Sequence, residues 1–577
     1  LNEPSDFIAT VHGLSIRTDL ELIYDADGNG IFDEGELVAT QFNHDPNIDS
    51  SVSISAEGLD AGSYFLAIKP HYSFPNTLST SYTLTLATPV AADSEPTPVA
   101  SSDIPIFVDV TAQEFLNTYA GKTISEGLTV KIEDGTTGTF VGDFIVNLEG
   151  AIEFADNISL NLSGLFKLDG ESSPGSQLLL SEGNTITARA IDWEVGGNLQ
   201  VKMNNTLTAN QGNLIIKSGS QIQLEENISL QALAGSITLD AVADGDVQIK
   251  QAESIFAFPN IRAGDDITIA AGGDIQIMEG NTFQAGDDLT FIGTSEEGDI
   301  EILQQDPASF PPDIQYSIEA GGDIFMETNG DIQIHNNTTL YAGEDLTLNA
   351  KSEGDVQILT LEQTLSTPRI EAGMTIMVKA EGDINIQRGD SIGQLGVPDI
   401  KAGNDIFMEG FGEIELEPGN WLWANRTIHL ETKGVEVQVQ PRADVKLEAG
   451  LDIILLALEE NAGIKVGEDG TLTAGRDIFL QAGQKDQGEG DIEVKENSVL
   501  TASTGSMTIA SGLNGVTTVK ENSSLTAGDE ITITSGESGE TVVKGDGTTL
   551  TADVITVITG LEGESVVEPD VIINAAS

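Results

Sequence analysis

Three stretches near the end of the chain decide how the sequence reads: VKENSVLTA (Val494–Ala502), VKENSSLTA (Val519–Ala527) and VKGDGTTLTA (Val543–Ala552). Their closing alanines fall 25 residues apart, and self-similarity at a fixed period of this size is the mark of a solenoid. Each copy is followed by a second short alternating run, Met507-Thr508-Ile509, Glu530-Ile531-Thr532-Ile533 or Ile555-Thr556-Val557, and then by a Gly-rich turn into the next valine. Two or three strands per coil follow.

Degenerate copies extend upstream as NTLTA (Asn205–Ala209), NTFQA (Asn281–Ala285), TTLYA (Thr338–Ala342), NWLWA (Asn420–Ala424) and GTLTA (Gly470–Ala474). Strand side chains alternate between faces, so the apolar column Leu207, Phe283, Leu340, Leu422, Leu472, Leu500, Leu525 and Leu550 points one way and its neighbours the other. The column is expected inside. Many copies continue Ala-Gly-x-Asp into another alternating run, as at Ala263–Ile269, Ala342–Leu348, Ala402–Met408 and Ala474–Leu480, which suits a corner between strands. Stacked coils of this kind predict an all-β fold, a long right-handed parallel β-helix over residues 105–577. At ~4.8 Å per layer it is a rod on the order of 80 Å long, with Gln304–Tyr316 and Gln387–Asp399 bulging as loops.

Composition narrows the chemistry. Of 577 residues, 93 are acidic and 25 basic, and the net charge of −68 argues against nucleic acid and anionic membrane surfaces as partners. Cations are the expected small partners. Cysteine is absent, which removes disulfides and thiolate chemistry. The longest apolar run, Ile453–Leu458, is far shorter than the ~20 residues a membrane span needs, so no membrane insertion is expected. The chain begins at Leu1 without a leader, as a processed or partial chain would.

The segment 89–104, rich in Pro, Ala, Ser and acids, reads as a linker. Before it, residues 1–88 hold short alternating runs (Asp6–Val11, Leu20–Tyr24, Ser51–Ser55, Tyr64–Lys69, Tyr82–Leu86) that predict a small antiparallel β-sandwich. After it, Thr111–Tyr119 is the one expected helix, with Phe115 and Tyr119 four apart and Gly121 as a stop. Within the sandwich, DADGNGIFDEGE (Asp25–Glu36) places oxygen donors at Asp25, Asp27, Asn29, Asp33 and Glu36, a carbonyl at Ile31 and the sharp-turn glycine at Gly30. That spacing matches a Ca²⁺ loop at every position; the competing reading is an acidic hairpin that binds nothing.

TDLELIYDADGNGIFDEGELVAT (Thr18–Thr40), LDAGSYFLAIKPHYS (Leu59–Ser73) and SYTLTL (Ser81–Leu86) together resemble the bacterial pre-peptidase C-terminal domain, a calcium-associated β-sandwich. The resemblance covers about the first ninety residues and implies secretion and an accessory role. The AGGDI, AGDDL, AGNDI and AGRDI repeats (from Ala271, Ala285, Ala402 and Ala474) loosely resemble the β-helical shafts of filamentous haemagglutinin-type adhesins, a likeness of architecture alone.

Other candidates are weighed on their residues. The corner aspartates Asp266, Asp274, Asp288, Asp323, Asp345, Asp405 and Asp477 either accept backbone hydrogen bonds, the commoner role, or line up to collect cations. Trp421 and Trp423 flank inward Leu422 and so point outward, where another coil carries Tyr341; they form a partner or glycan contact, or lie under a nearby loop. Outward Thr-x-Thr pairs, as at Thr206 and Thr208, are simple β-formers. The five histidines are scattered, so no catalytic residues are assigned, and a polysaccharide lyase or hydrolase is the alternative to a structural protein. Val566–Asn574 is strand-like with no capping pattern after it. The expectation is a secreted, cell-surface fibre or adhesin shaft with Ca²⁺ in its N-terminal domain, a homopolymer through end-to-end contacts, with polysaccharide as a further partner.

Overall fold

In a computed structural model the chain divides into two compact units, Leu1–Asp103 and Ile104–Ser577. The structure describes residues 5–12, 18–25, 37–41, 52–59, 63–70 and 83–87 of the first. In the second it describes residues 106–576 apart from 243, 251–259, 279, 297, 304–315, 336–337, 360–367, 388–398, 435, 440–444 and 484–487. Residues 26–36 of the calcium loop, the linker 89–104 and, apart from Tyr316, Gln387 and Asp399, the two expected inserts lie outside the described residues.

The first unit holds two three-stranded antiparallel sheets. Ser5–His12 lies between Val52–Leu59 and Thr83–Ala87, and Thr18–Asp25 lies between Leu37–Gln41 and Ser63–Pro70. Leu37–Gln41 (LVATQ) was not among the runs expected as strands, because its apolar residues Leu37, Val38 and Ala39 run together and do not alternate.

The second unit is a parallel β-solenoid with three strands per coil. Ladder one takes the x-Leu-x-Ala strands, such as Thr471–Ala474; ladder two takes five-residue strands, such as Ile478–Ala482; ladder three takes three- or four-residue strands, such as Ile492–Val494. Each strand pairs in register with its counterparts in the coils before and after, giving ladder one 18 strands. Seventeen layer spacings of ~4.8 Å make the ladder roughly 80 Å long. The interior is dry and apolar. The expected inward column is buried throughout, and the closing alanines form a second buried column beside it. Both ladder two and ladder three repeat the alternation, as at Ile267, Ile269, Ala271 and then Ile275, Ile277.

The Ala-Gly corner has a steric cause. A Cβ on Gly403 would sit well inside contact distance of the Gly373 carbonyl oxygen in the coil beneath, and Gly373 meets Gly343 the same way. Backbones approach so closely here that only hydrogen fits.

The start of the solenoid is closed by the one helix among the described residues, Ala112–Tyr119. Thr111 is its N-cap, in a reciprocal capping box with Glu114. The helix stands where the first coil would carry its ladder-one strand, between Ile106–Val110 of ladder three and Lys122–Ile124 of ladder two. Gln113 bridges the open edge of the first ladder-one strand, accepting from Thr139 N at 3.0 Å and donating to Thr139 O at 3.2 Å. Phe115 and Leu116 are buried, and Phe115 begins an aromatic interior that continues through Phe144 (5.2 Å), Phe166 (5.5 Å) and Trp193 (5.4 Å between ring centroids).

Replacing Gly403 by alanine is expected to cost about 3 kcal/mol, the upper part of the range for overpacking. Hydrogen exchange should quicken in the coils around Gly373 and Thr427 first, since each coil touches only its neighbours. Unchanged exchange there would refute the steric reading of this corner.

Candidate functional sites: corner aspartates, aromatic face and terminal coil

The corner aspartates are hydrogen-bond acceptors, each holding the backbone of the next coil. Oδ1 of Asp288 accepts from Asp323 N at 2.8 Å, Asp323 from Asp345 N at 2.9 Å, and Asp345 from Thr375 N at 2.8 Å. Asp266, Asp405 and Asp477 act likewise on Asp288, Thr427 and Ser506. Asp274 belongs elsewhere. The sequence AGGDI lies between ladders two and three at Ala271–Ile275, but between ladders one and two at Ala320–Ile324.

At this second corner Asp246, Asp274, Asp299, Asp331, Asp355 and Asp383 form an unbroken stack, each carboxylate accepting from the backbone N–H one coil on, at 2.6–3.0 Å. Except for Asp274 this stack was missed, although the recurring Gly-Asp before a three-residue strand (Gly298-Asp299-Ile300, Gly330-Asp331-Ile332, Gly382-Asp383-Ile384) announces it. Stacking like charges has a cost. Burial pushes the Asp299 carboxyl above its ordinary range, partly offset by the bond it accepts from Asp331, and the charges of Asp331 and Asp274 push it further. Asp355 is raised by burial and by Asp331 and Asp383, and Glu301 by burial and by Asp299 and Asp274.

The third corner uses buried neutral side chains instead. Asn205, Asn420, Ser498, Ser523 and Thr548 precede the ladder-one strand and donate to carbonyls of their own or the preceding coil, as Ser498 Oγ does to Gly467 O at 2.9 Å. These bonds satisfy the buried side chains themselves and tie the corner to backbone carbonyls, some of which, such as Gly467 O, also accept a backbone N–H.

On the outer face of ladder one, Trp421 and Trp423 flank buried Leu422, as the alternation requires. Tyr341 is 46% exposed. In successive layers one outer column reads Tyr341, Glu371, Lys401, Trp423, Glu448, and Lys446 follows Trp421 in the other. The lysines lie over the rings: Lys446 Nζ is 4.1 Å from the Trp421 centroid and Lys401 Nζ 5.9 Å from that of Trp423. Arg369 and Lys401 both pair with Glu371, and Lys446 pairs with Glu448 at 2.6 Å.

Ile573 continues the inward column above Leu550, yet it is 51% exposed where Leu550 is fully buried. Ile572, Val554, Ile558, Val567 and Leu561 are exposed around it.

Of the histidines, His335 is half-buried and burial pushes its imidazole below the usual value, while His429 bonds Glu431 at 3.2 Å. Among the described residues no three His, Cys, Asp or Glu side chains converge as metal ligands, and no helix is long and apolar enough to cross a membrane. No known protein family, curated protein or solved structure matches this chain.

Ionised Asp299 and Asp355 weigh against the folded state above their raised values, and that penalty fades as pH falls toward the unfolded-chain value of ~4. The double variant Asp299→Asn, Asp355→Asn keeps an oxygen acceptor and removes the charge. It is expected to unfold at a higher temperature than the parent at pH 7, by about 2–4 °C for each kcal/mol gained, and to converge with it as pH falls below ~4. A difference independent of pH, read by thermal circular dichroism, would show that the stacked charges are not its source.

Proposed function

We propose that this protein is a secreted structural component, the shaft of a surface fibre or adhesin, carrying a calcium-binding domain at its N-terminal end. The observation that carries the reading is the solenoid itself: three ladders run through the second unit with a continuous apolar interior, so the fold's product is length. Its corners are built from groups that fasten one coil to the next, and their side-chain oxygens are engaged in that role.

Assembly belongs to the same proposal. Backbone edges and apolar residues in the terminal coil are the natural partner for another parallel coil. At the start, the helix and Gln113 cover ladder one, while Ile106–Val110 is the edge strand of ladder three and Phe107 is 60% exposed. A head-to-tail contact therefore runs chiefly through ladder three. With −68 charges on each copy, cations that screen or bridge the surfaces favour it.

Negative-stain microscopy and sedimentation velocity of the full chain should show particles longer than the ~80 Å solenoid, lengthening with protein concentration and with Ca²⁺. Ile573→Asp, which places a charge in the open apolar end, should leave short rods. Short rods at every concentration, with or without Ca²⁺, would overturn the assembly. Separately, calorimetric titration should detect Ca²⁺ binding that Asp27→Ala with Glu36→Ala weakens at least ~10-fold, about 1.4 kcal/mol. Identical isotherms would return the loop to an ordinary acidic hairpin.

A further inference from the structure

We propose that the outer face of ladder one between Tyr341 and Glu448 is a binding site for an uncharged polysaccharide strand. This deepens the adhesin reading by naming what the shaft adheres to, but it stands on a different part of the molecule from the assembly.

The first support is where the aromatic residues lie. The chain has three tryptophans; Trp193 is in the core, and the other two sit side by side on one strand, facing outward. Elsewhere the same two outer columns carry Thr206 and Thr208, Thr471 and Thr473, or Thr549 and Thr551, so this region departs from what the ladder needs for pairing. Tyr341 lies three layers below Trp423, ~14 Å at the spacing of parallel strands. Successive layers offer side chains at a repeat close to the length of one pyranose unit in an extended glycan.

The second support is independent of the rings. Eight buried side-chain polar atoms have no hydrogen-bond partner among the described residues, and two of them, Arg369 Nε and Trp421 Nε1, are N–H donors on this face. A buried donor without an acceptor costs about 1–3 kcal/mol, so two within a few layers of each other mark a place built to receive oxygen acceptors. Sugar hydroxyl and ring oxygens supply them. Lys446 and Lys401, which lie over the rings, are held by half-exposed ion pairs of little net strength, so a ligand displaces them at small cost.

Charge selects among glycans. The cations Arg369, Lys401 and Lys446 share this face with the carboxylates of Glu371, Asp399 and Glu448, leaving the platform locally near neutral within a strongly acidic chain. A polyanion meets repulsion from the rest of the molecule, whereas an uncharged strand stacks on the aromatic faces and bonds to the ion-paired groups flanking them.

The test is affinity electrophoresis of the full chain in gels containing hydroxyethylcellulose, laminarin or galactomannan, with alginate as the anionic comparison. Tryptophan emission is followed in parallel, buried Trp193 serving as the internal reference. Retardation is expected in at least one uncharged gel and not in alginate. Trp423→Ala should weaken it about tenfold, equivalent to ~1.4 kcal/mol. Trp421→Phe, which keeps a ring and removes the N–H, should weaken it less. Both changes lie on the outer face, and circular dichroism identical to the parent's confirms that the solenoid is intact. Migration unaltered by every uncharged polysaccharide, equal retardation by alginate, or full retardation of the Trp421→Ala, Trp423→Ala double variant would each overturn the proposal. Ile573→Asp, which blocks assembly, should bind the same glycan as the parent, so the two proposals fail separately.

Discussion

The structure depends on vertical register. Every strand of the solenoid pairs with the strand one coil away at the same position in the repeat, so each side chain meets its own equivalent above and below. A one-residue slip in any coil would turn its leucine and alanine outward and bring threonine or a charge into a dry interior. Few residue types therefore satisfy the inward columns, which hold mostly Leu, Ile, Val and Ala, with an occasional Phe, Met or Trp193 and a few buried hydroxyls such as Ser218, Thr328, Thr432, Thr517 and Thr541.

Corners then carry the burden that strands do not. Three turns per coil bring backbone groups close together with no ladder to pair them, and the corners solve this with two kinds of chemistry. Close-packed glycines and stacked aspartates serve the first and second; buried Asn, Ser or Thr serves the third. The aspartate solution takes carboxylates partly out of water and brings like charges within a layer spacing of each other, so burial first and neighbouring charge second make Asp299 and Asp355 harder to ionise than an ordinary carboxyl. It is tolerated because each carboxylate receives a charge-assisted bond from the backbone above. The acidity of the chain is thus partly a structural requirement of its corners.

How much of this was legible follows from which positions repeat. Leu500, Leu525 and Leu550 stand 25 residues apart, each followed by Thr-Ala, so the inward column and the parallel stacking could be read from residues alone, and the spacing of Phe115 and Tyr119 marked the helix, whose expected first residue, Thr111, proves to be its N-cap. The three-fold division of the coil was harder, since a three-residue strand such as Ile300–Ile302 has too little alternation to separate it from a turn. Assigning Asp274 with Asp288 failed for a related reason: glycine and aspartate solve the close approach at two corners, and identical letters, AGGDI, then mark different places. The lysines over Trp421 and Trp423 were invisible because their partners lie about 22 to 25 residues away, in coils whose spacing the inserts alter.

Outward positions of strands are free of all these demands, and that freedom is where function has room to settle. An inward residue is fixed by packing and a corner residue by backbone pairing, but Thr206 or Thr471 on the outer face of ladder one needs only to favour a strand. When that face changes from threonine to Tyr341, Arg369, Trp421 and Trp423, neither the fold nor its stability requires the change, and it leaves buried N–H groups unpaired. The rings meet lysines of the neighbouring coils, but two buried N–H donors left unpaired at a cost to the fold are most simply accounted for by the contact proposed with something outside the chain.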